Sequence, residues 1–473
     1  MGTISGALSM ISGALNADQQ ALNVVANNVA NANTPGYTVE KPEWQQNQPI
    51  TIGGISYGQG VTETGARSQR DRVLEERLDQ QKQLASASDS RLTALNTLQA
   101  LFTPDSGSSS SKAGDIGSDI TSFFNSFSSL EANPTDNALR QNVLSTAGML
   151  AGDISNAAAS LNSQRAAIDQ ETAGVTSQVN ALTSAIAQLN KQIMTNSPTG
   201  DAGTLEDQRQ QDLSQLSQLI GINQITTGNN GLAITTTSGQ LLVSGDTSFQ
   251  LTTGKSDGVT AFYVNGTDVT AGLASGGGSL GGYLTARDED IPSALNSLDQ
   301  LAYGISTAVN AQNNAGTTLD GTTGSADNPL YIFNQPAAVK GSAAHMSVVM
   351  TDPNDVAAAG AGSGTGDNSN AVAMASLAGQ KIVNGQSPTN FYSNFVATLG
   401  SKVSTVQTEN TAQNASVTQL QTQRDTLSGV NLNDEASALT TLERSYEAAS
   451  KVFSILNTLM ASALNLGEET TVS

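Results

Sequence analysis

The 473 residues, 37% of them hydrophobic, suffice for several domains with sizeable buried cores. A net charge of -21 repels phosphate backbones and sets nucleic acid aside as a partner, while charged residues at only 13% leave an uncharged polar surface. Without cysteine there is no disulfide framework, thiol nucleophile or thiolate metal site, and a lone histidine, His345, excludes the usual histidine triads and multi-histidine metal centres.

In chain order, Ile4, Leu8, Ile11, Leu15, Asp18, Leu22, Val25 and Val29 alternate in spacings of four and three, a heptad seam broken by one acid. The pattern predicts one helix of about thirty residues, which Thr34-Pro35-Gly36 stops in a turn. Gly53 to Gly65 is glycine-rich and reads as short strands or an extended loop. Leu74, Leu78, Gln81, Leu92, Leu95 and Phe102 mark a helix ended by Pro104, Ser106 to Ser111 a flexible connection, and Ile116 to Leu130 a further helix. The longest periodic segment opens near Thr135 and Asp136, carries a stripe from Leu139 and Val143 through Ile154, Ile168 and Val179 to Ile193, and stops before Pro198. Some sixty residues of helix make a rod about 90 Å long.

Between Ile222 and Leu284 the period changes to two, with turns at Asn230-Gly231, Ser238-Gly239, Asp257-Gly258 and Asn265-Gly266, predicting a small meander of hairpins. Helical spacing returns from Ile291 to Val309, and Leu330 to Phe333 and His345 to Met350 read as extended segments that can join the same sheet. After an Ala/Gly loop, Ala357 to Gly366, the residues Phe391, Phe395, Leu399, Val406, Val417, Leu420 and Leu427 mark helices leading to a terminal one. There Leu439, Leu442, Tyr446, Ala449, Phe453, Leu456, Met460 and Ala463 form a second heptad seam, with Asn433 or Asp434 as N-cap and Gly467 beyond it.

The order helix, sheet, helix predicts a mainly α fold with inserted β: a long coiled-coil-like rod built from both chain ends, with a small antiparallel β domain in the middle. The expected division is a terminal helical domain (1–66 and 430–473), a helical rod domain (67–221, 286–329 and 370–429) and a β-rich domain (222–285 and 330–369). Neither terminal seam is buried by its own helix, so each needs a partner. The expected assembly interface is therefore Ile4, Leu8, Ile11, Leu15, Leu22, Val25 and Val29 with Leu439, Leu442, Tyr446, Phe453, Leu456 and Met460.

No catalytic constellation, cofactor motif or metal set emerges. Gly276 to Gly281 formally matches GxGxxG, but no parallel strand precedes it and it reads as a mobile interdomain turn. Asp288, Glu289 and Asp290 read as acids favoured by a helix dipole, and Glu443, Arg444, Glu447 and Lys451 as a solvated helix face. No apolar run is long enough to span a bilayer, and the first 40 residues lack the Lys or Arg that a signal peptide's n-region would require.

Leu22 to Thr38, LNVVANNVANANTPGYT, resembles the amino-terminal signature of the bacterial flagellar axial proteins (rod, hook and hook-associated), carried by Asn27, Asn28, Asn31, Asn33, Thr34, Pro35, Gly36 and Tyr37. Ser428 to Glu435, SGVNLNDE, resembles its carboxy-terminal counterpart. Leu205 to Leu213 (LEDQRQQDL) and Gly278 to Arg287 (GSLGGYLTAR) narrow the resemblance to the group forming the first hook–filament junction. The resemblance implies a non-enzymatic subunit of a secreted, extracellular assembly, with terminal helices in an inner tube around the export channel and β domains outside. It further implies contacts with further copies, hook protein and the second junction protein, export through the type III apparatus, and a cytoplasmic chaperone on the carboxy-terminal helix. Hook subunit, second junction protein and flagellin remain alternatives, as does a secreted coiled-coil effector or adhesin. The stretch after Leu330 is short for the family, and the acidic end, GEETTVS, departs from its usual apolar or basic one.

Overall fold

The computed structural model describes residues 2–52, 54–103, 116–197, 201–256 and 259–468. Pro104, the Ser106 to Ser111 connection, Pro198, the Asp257-Gly258 turn and residues 469–473 lie outside the described residues. The heptad seam of the amino terminus forms α1 (Gly2–Asn31), and the chain turns at Gly36 with φ +82°, where a side chain would be strained. The glycine-rich stretch is a long hairpin, β1 (Glu40–Gln46) against β4 (Val61–Ser68), carrying a smaller one, β2 (Ile50–Ile52) and β3 (Ile55–Tyr57).

Asp71 caps α2 (Arg72–Ala100) by accepting from the amides of Val73 and Leu74. After α3 (Ile116–Ala132), Asp136 caps α4 (Asn137–Asn196), a 60-residue helix about 90 Å long. Its single stripe serves two cores. Val143 to Ile168 pack with α2, α3, α8 (Ile291–Ala315), α9 (Ser369–Ser376) and the first part of α10 (Pro388–Ser428). Val175 to Ala187 pack with α5 (Thr204–Leu219), α6 (Thr270–Gly276), α7 (Gly278–Thr285) and the strands.

Those strands make two antiparallel sheets. The four-stranded one orders β5 (Ile222–Thr226), β6 (Leu232–Thr236), β7 (Leu241–Ser244) and β8 (Thr247–Ser248). The three-stranded one orders β9 (Leu251–Ser256), β10 (Val259–Val264) and β11 (Thr267–Asp268). Asn265 and Gly266, both with positive φ, close the last hairpin as the sequence predicts. The chain closes with α11 (Leu432–Glu468), which runs through Gly467. Its N-terminal amides are met by Asn431, whose side chain accepts from Asn433 N, and not by Asn433 or Asp434.

Four expectations need correction. The segment 330–369 does not join the sheet but buries Leu330, Ile332, Phe333, Met346 and Met350 in the first, helical core. Its two extended stretches bridge each other at Phe333 and Val348, with Asn334 N donating to the Ser347 carbonyl and Val349 N to the Ile332 carbonyl. The α8 side chains satisfy more of its backbone: Asn310 bonds both the amide and carbonyl of Phe333, Asn313 bonds Leu330 O and Ala357 N, and Asp299 accepts from Gly341 and Ala343. Residues 270–285 are not strands but two short helices, α6 and α7, joined at Gly277, whose φ is +97°. The GxGxxG run is not a mobile turn: Gly278, Gly281 and Gly282 are buried in α7, where a Cβ on Gly282 would strike the Ala87 carbonyl and Ser90 Oγ of α2. In the acidic triplet, Asp290 belongs to a π-helical turn (Ala286–Asp290) and takes a bidentate bond from Arg91 with Lys402 close by, so ion pairing and not a helix dipole retains it.

Candidate assembly interface

α1 and α11 lie packed against each other. The end of α1 meets the start of α11, so the two run antiparallel away from a common root. Of the seam residues, Val25 is buried, Ile4, Leu8, Ile11, Leu15 and Leu22 are half-buried, and Val29 is 45% exposed. The fully buried residues of α1 are instead Ala17, Ala21, Val25 and Asn28, on a helix that packs against α11 and the β1–β4 hairpin. On α11, Leu442, Phe453, Leu456 and Met460 are half-buried, while Leu439 and Tyr446 lie exposed. A second apolar row, Val452, Ile455 and Leu459, faces outward, with Ile455 59% exposed.

The root of this pair explains the sequence motifs. Asn28, 1% exposed, donates through Nδ2 to the Glu40 carbonyl at 2.8 Å and to Glu435 Oε2 at 3.1 Å. Its Oδ1 accepts from the Tyr37 hydroxyl at 2.9 Å and the Glu40 amide at 3.0 Å. Both donors and both lone pairs of one amide are used, which ties the end of α1, the start of β1 and the start of α11 together. The other motif residues do less: Asn31 bonds back to Asn27, Thr34 Oγ1 donates to Asn31, and Asn27, Asn33, Thr34, Pro35 and Gly36 are exposed.

From α10, Arg424 donates Nε to Glu75 of α2 at 3.0 Å, Nη2 to the Gly36 carbonyl at 2.7 Å and Nη1 to Asp425 at 3.2 Å. The Ser428 carbonyl accepts from Val39 N and its hydroxyl donates to Gln69 O. From α5, Asp207 accepts from Thr38 N at 3.2 Å and pairs with Arg70, while Glu206 pairs with Arg70 at 2.9 Å and Arg72 at 3.1 Å. Arg209 reaches Asn190 Oδ1 on α4 at 2.9 Å. NANTPGYT, SGVNLNDE and LEDQR, far apart in sequence, thus form one buried polar node joining the terminal pair to the rod. GSLGGYLTAR lies elsewhere, its glycines on α2 and its Arg287 bonded to Asp169 of α4 at 2.8 Å.

Burial, then the negative charges of Glu40, Asp207 and Glu435, push the Tyr37 hydroxyl far above its usual range, so it stays a neutral donor. Glu40 is raised by burial and by Asp207 and Asp201, against which Arg70 acts. Arg424 is desolvated, but Glu75 and Asp425 outweigh burial and hold its charge. Sequence reasoning missed Arg424, Glu75, Arg70, Asp207 and Glu435 as members of one site; only the quoted motifs hinted at two of them, Asp207 and Glu435. The node holds no nucleophile beside a base. It is a joint: the Asn28 amide has all four of its partners, Thr38 Oγ1 and Arg70 Nε are buried without one, and the network fixes the direction in which two helices leave. Among the described residues no helix is long and apolar enough to cross a membrane, and no group of three metal-ligating residues is formed.

Residues 106–326 match the family model described as the flagellar hook-associated protein FlgK helical domain. Residues 10–38 match that of the flagella basal body rod protein, and 421–466 that of the flagellar basal body rod FlgEFG protein C-terminal. The chain is 25% identical to flagellar hook-associated protein 1 of Salmonella typhimurium and also of Escherichia coli, covering 96% of this chain and 98% of each relative. It is 26% identical to the Bacillus subtilis protein of that description, covering 96% of both. In fold it is similar to the flagellar hook junction protein FlgK from Burkholderia pseudomallei, with a TM-score of 0.65, 18% identity, and 74% of this chain and 99% of that chain covered. The terminal models contain the node residues Asn28, Tyr37, Arg424 and Glu435, the helical-domain model covers much of the rod and the strands between them, and the likeness runs nearly end to end: the chain is similar throughout to flagellar hook-associated protein 1, and its role is that of a structural protein of the bacterial flagellum.

Proposed function

We propose that the α1–α11 pair is the element through which this flagellar structural protein assembles, copy against copy, at the junction of hook and filament. The single observation that carries this reading is the apolar surface that the pair leaves open, Val452, Ile455 and Leu459 on one side of α11 and Val29 on α1. Each helix covers part of the other, and a heterologous contact with neighbouring copies buries the rest. The half-buried seam residues Leu8, Ile11, Leu15, Leu442, Phe453, Leu456 and Met460 set the pairing, and the buried node orients it. On this reading the hook protein contacts one side of the assembled ring and the second junction protein the other. The chain leaves the cell through the type III export apparatus, accompanied until then by a chaperone on α11, and resides outside the cell. The test complements a deletion strain with Ile455→Asp. A chain that is secreted and folded, with unchanged circular dichroism, but absent from purified hook–filament preparations supports the proposal; normal incorporation overturns it.

A further inference from the structure

At the corner where α2 meets α5 and β5, we infer a latch that acid tightens: Asp79, buried and only half hydrogen-bonded, fixes the first strand of the β unit to the rod, and its hold weakens when its carboxyl loses its proton. Asp79 is 1% exposed. Its Oδ2 accepts from Gln210 Nε2 of α5 at 2.8 Å and from Gln224 Nε2 of β5 at 3.1 Å, whereas the equally buried Oδ1 has no hydrogen-bond donor. One turn along α2, Gln83 Nε2 donates to the Ile222 carbonyl at 3.2 Å, so two side chains of one helix grip the same strand. An ionised carboxylate with one oxygen unanswered is costly in a dry corner, and protonation removes that cost.

The charged groups that act on Asp79 lie on its own helix. Lys82, whose Nζ donates to Ser214 Oγ at 2.5 Å, favours the ionised form, and Glu75 opposes it. α5 and β5 present the neutral amides of Gln210 and Gln224. Burial outweighs Lys82 and both amides, and pushes the carboxyl up to about 6. In the opened corner it returns to about 3.9. The folded value is therefore the higher one, so the hold is full below the opened value, is lost as pH rises towards the folded value, and is level above it.

The experiment is hydrogen exchange of the full-length chain from pH 5 to 8, with rates corrected for intrinsic exchange, following peptides within 205–226. The opening of this corner rises about tenfold between pH 5 and 7 and then levels off. Asp79→Asn, whose amide oxygen still accepts from both glutamines, gives a flat profile. Lys82→Gln, a milder change, moves the rise to higher pH. A flat wild-type profile, the same rise in Asp79→Asn, an unmoved rise in Lys82→Gln, or a parallel rise in peptides of 143–161 in the other core would each overturn the latch.

Discussion

Asn28→Ala separates the two asparagines that stand side by side in the amino-terminal motif. It removes an amide with four partners and leaves the Glu435 carboxylate, the Tyr37 hydroxyl, and the amide and carbonyl of Glu40 without their partner. A buried group left unsatisfied costs about 1–3 kcal/mol, and more where it is charged. The four are neighbours in one network and Glu40 is half-exposed to rescue by water, so their costs overlap and the expected local loss is about 3–5 kcal/mol. At roughly 1.4 kcal/mol per tenfold, opening at the root of the α1–α11 pair rises a hundredfold or more. Hydrogen exchange of peptides covering 20–40 and 430–445 reads this directly, while the two cores on α4 keep their protection. Asn27→Ala, one residue earlier on the exposed side of the same helix, changes stability by less than about 0.5 kcal/mol. Indistinguishable exchange in the two variants would refute the claim that this amide ties the chain ends together.

Val25→Asp and Val29→Asp distinguish contacts within one copy from contacts between copies, since Val25 is 3% and Val29 45% exposed. The first disrupts the α1–α11 pair in the isolated chain by about 3 kcal/mol or more, seen as faster exchange, whereas the second leaves that exchange unchanged and lowers incorporation into hook–filament preparations. Asp290→Asn leaves Arg91 and Lys402 facing each other without their carboxylate and costs about 2–4 kcal/mol at neutral pH in denaturant titrations. Burial alone would raise that carboxyl, but Arg91 and Lys402 hold it below its ordinary range, so its stabilisation is full above about pH 4 and the difference between wild type and variant closes in stronger acid. Gly282→Ala would stabilise an isolated helix, yet here its Cβ meets the Ala87 carbonyl and Ser90 Oγ, and a net loss of about 1–3 kcal/mol in thermal unfolding is expected.

Local patterning carried the helices because their periodicity records which face is apolar, whatever covers it. The stripe from Leu139 to Ile193 became α4 nearly residue for residue, and the heptads at either end became α1 and α11. The same reasoning misplaced 330–369, because alternating apolar residues report burial and not the identity of the hydrogen-bond partner. Here the segment bridges itself at Phe333 and Val348, and the asparagines of α8 take the place of the sheet on its other side. It also read Gly276 to Gly281 as a mobile turn, since a glycine that permits flexibility and one that permits close packing are the same residue until the facing helix is known.

The chain's own order of residues thus determined that it would be helical at both ends, with a β insertion, no thiol chemistry, a single histidine and two apolar seams in need of cover. Tertiary structure alone decided that each seam partly covers the other, that the small residues Ala17 and Ala21 and not Leu22 are the fully buried ones, and that Arg424, Glu75, Asp207 and Glu435 converge on the turn that holds Asn28 and Tyr37. The physical reason is range: periodicity is set by residues three or four apart, whereas a buried charge or amide is tolerable only beside partners that may lie hundreds of positions away, 407 in the case of Asn28 and Glu435.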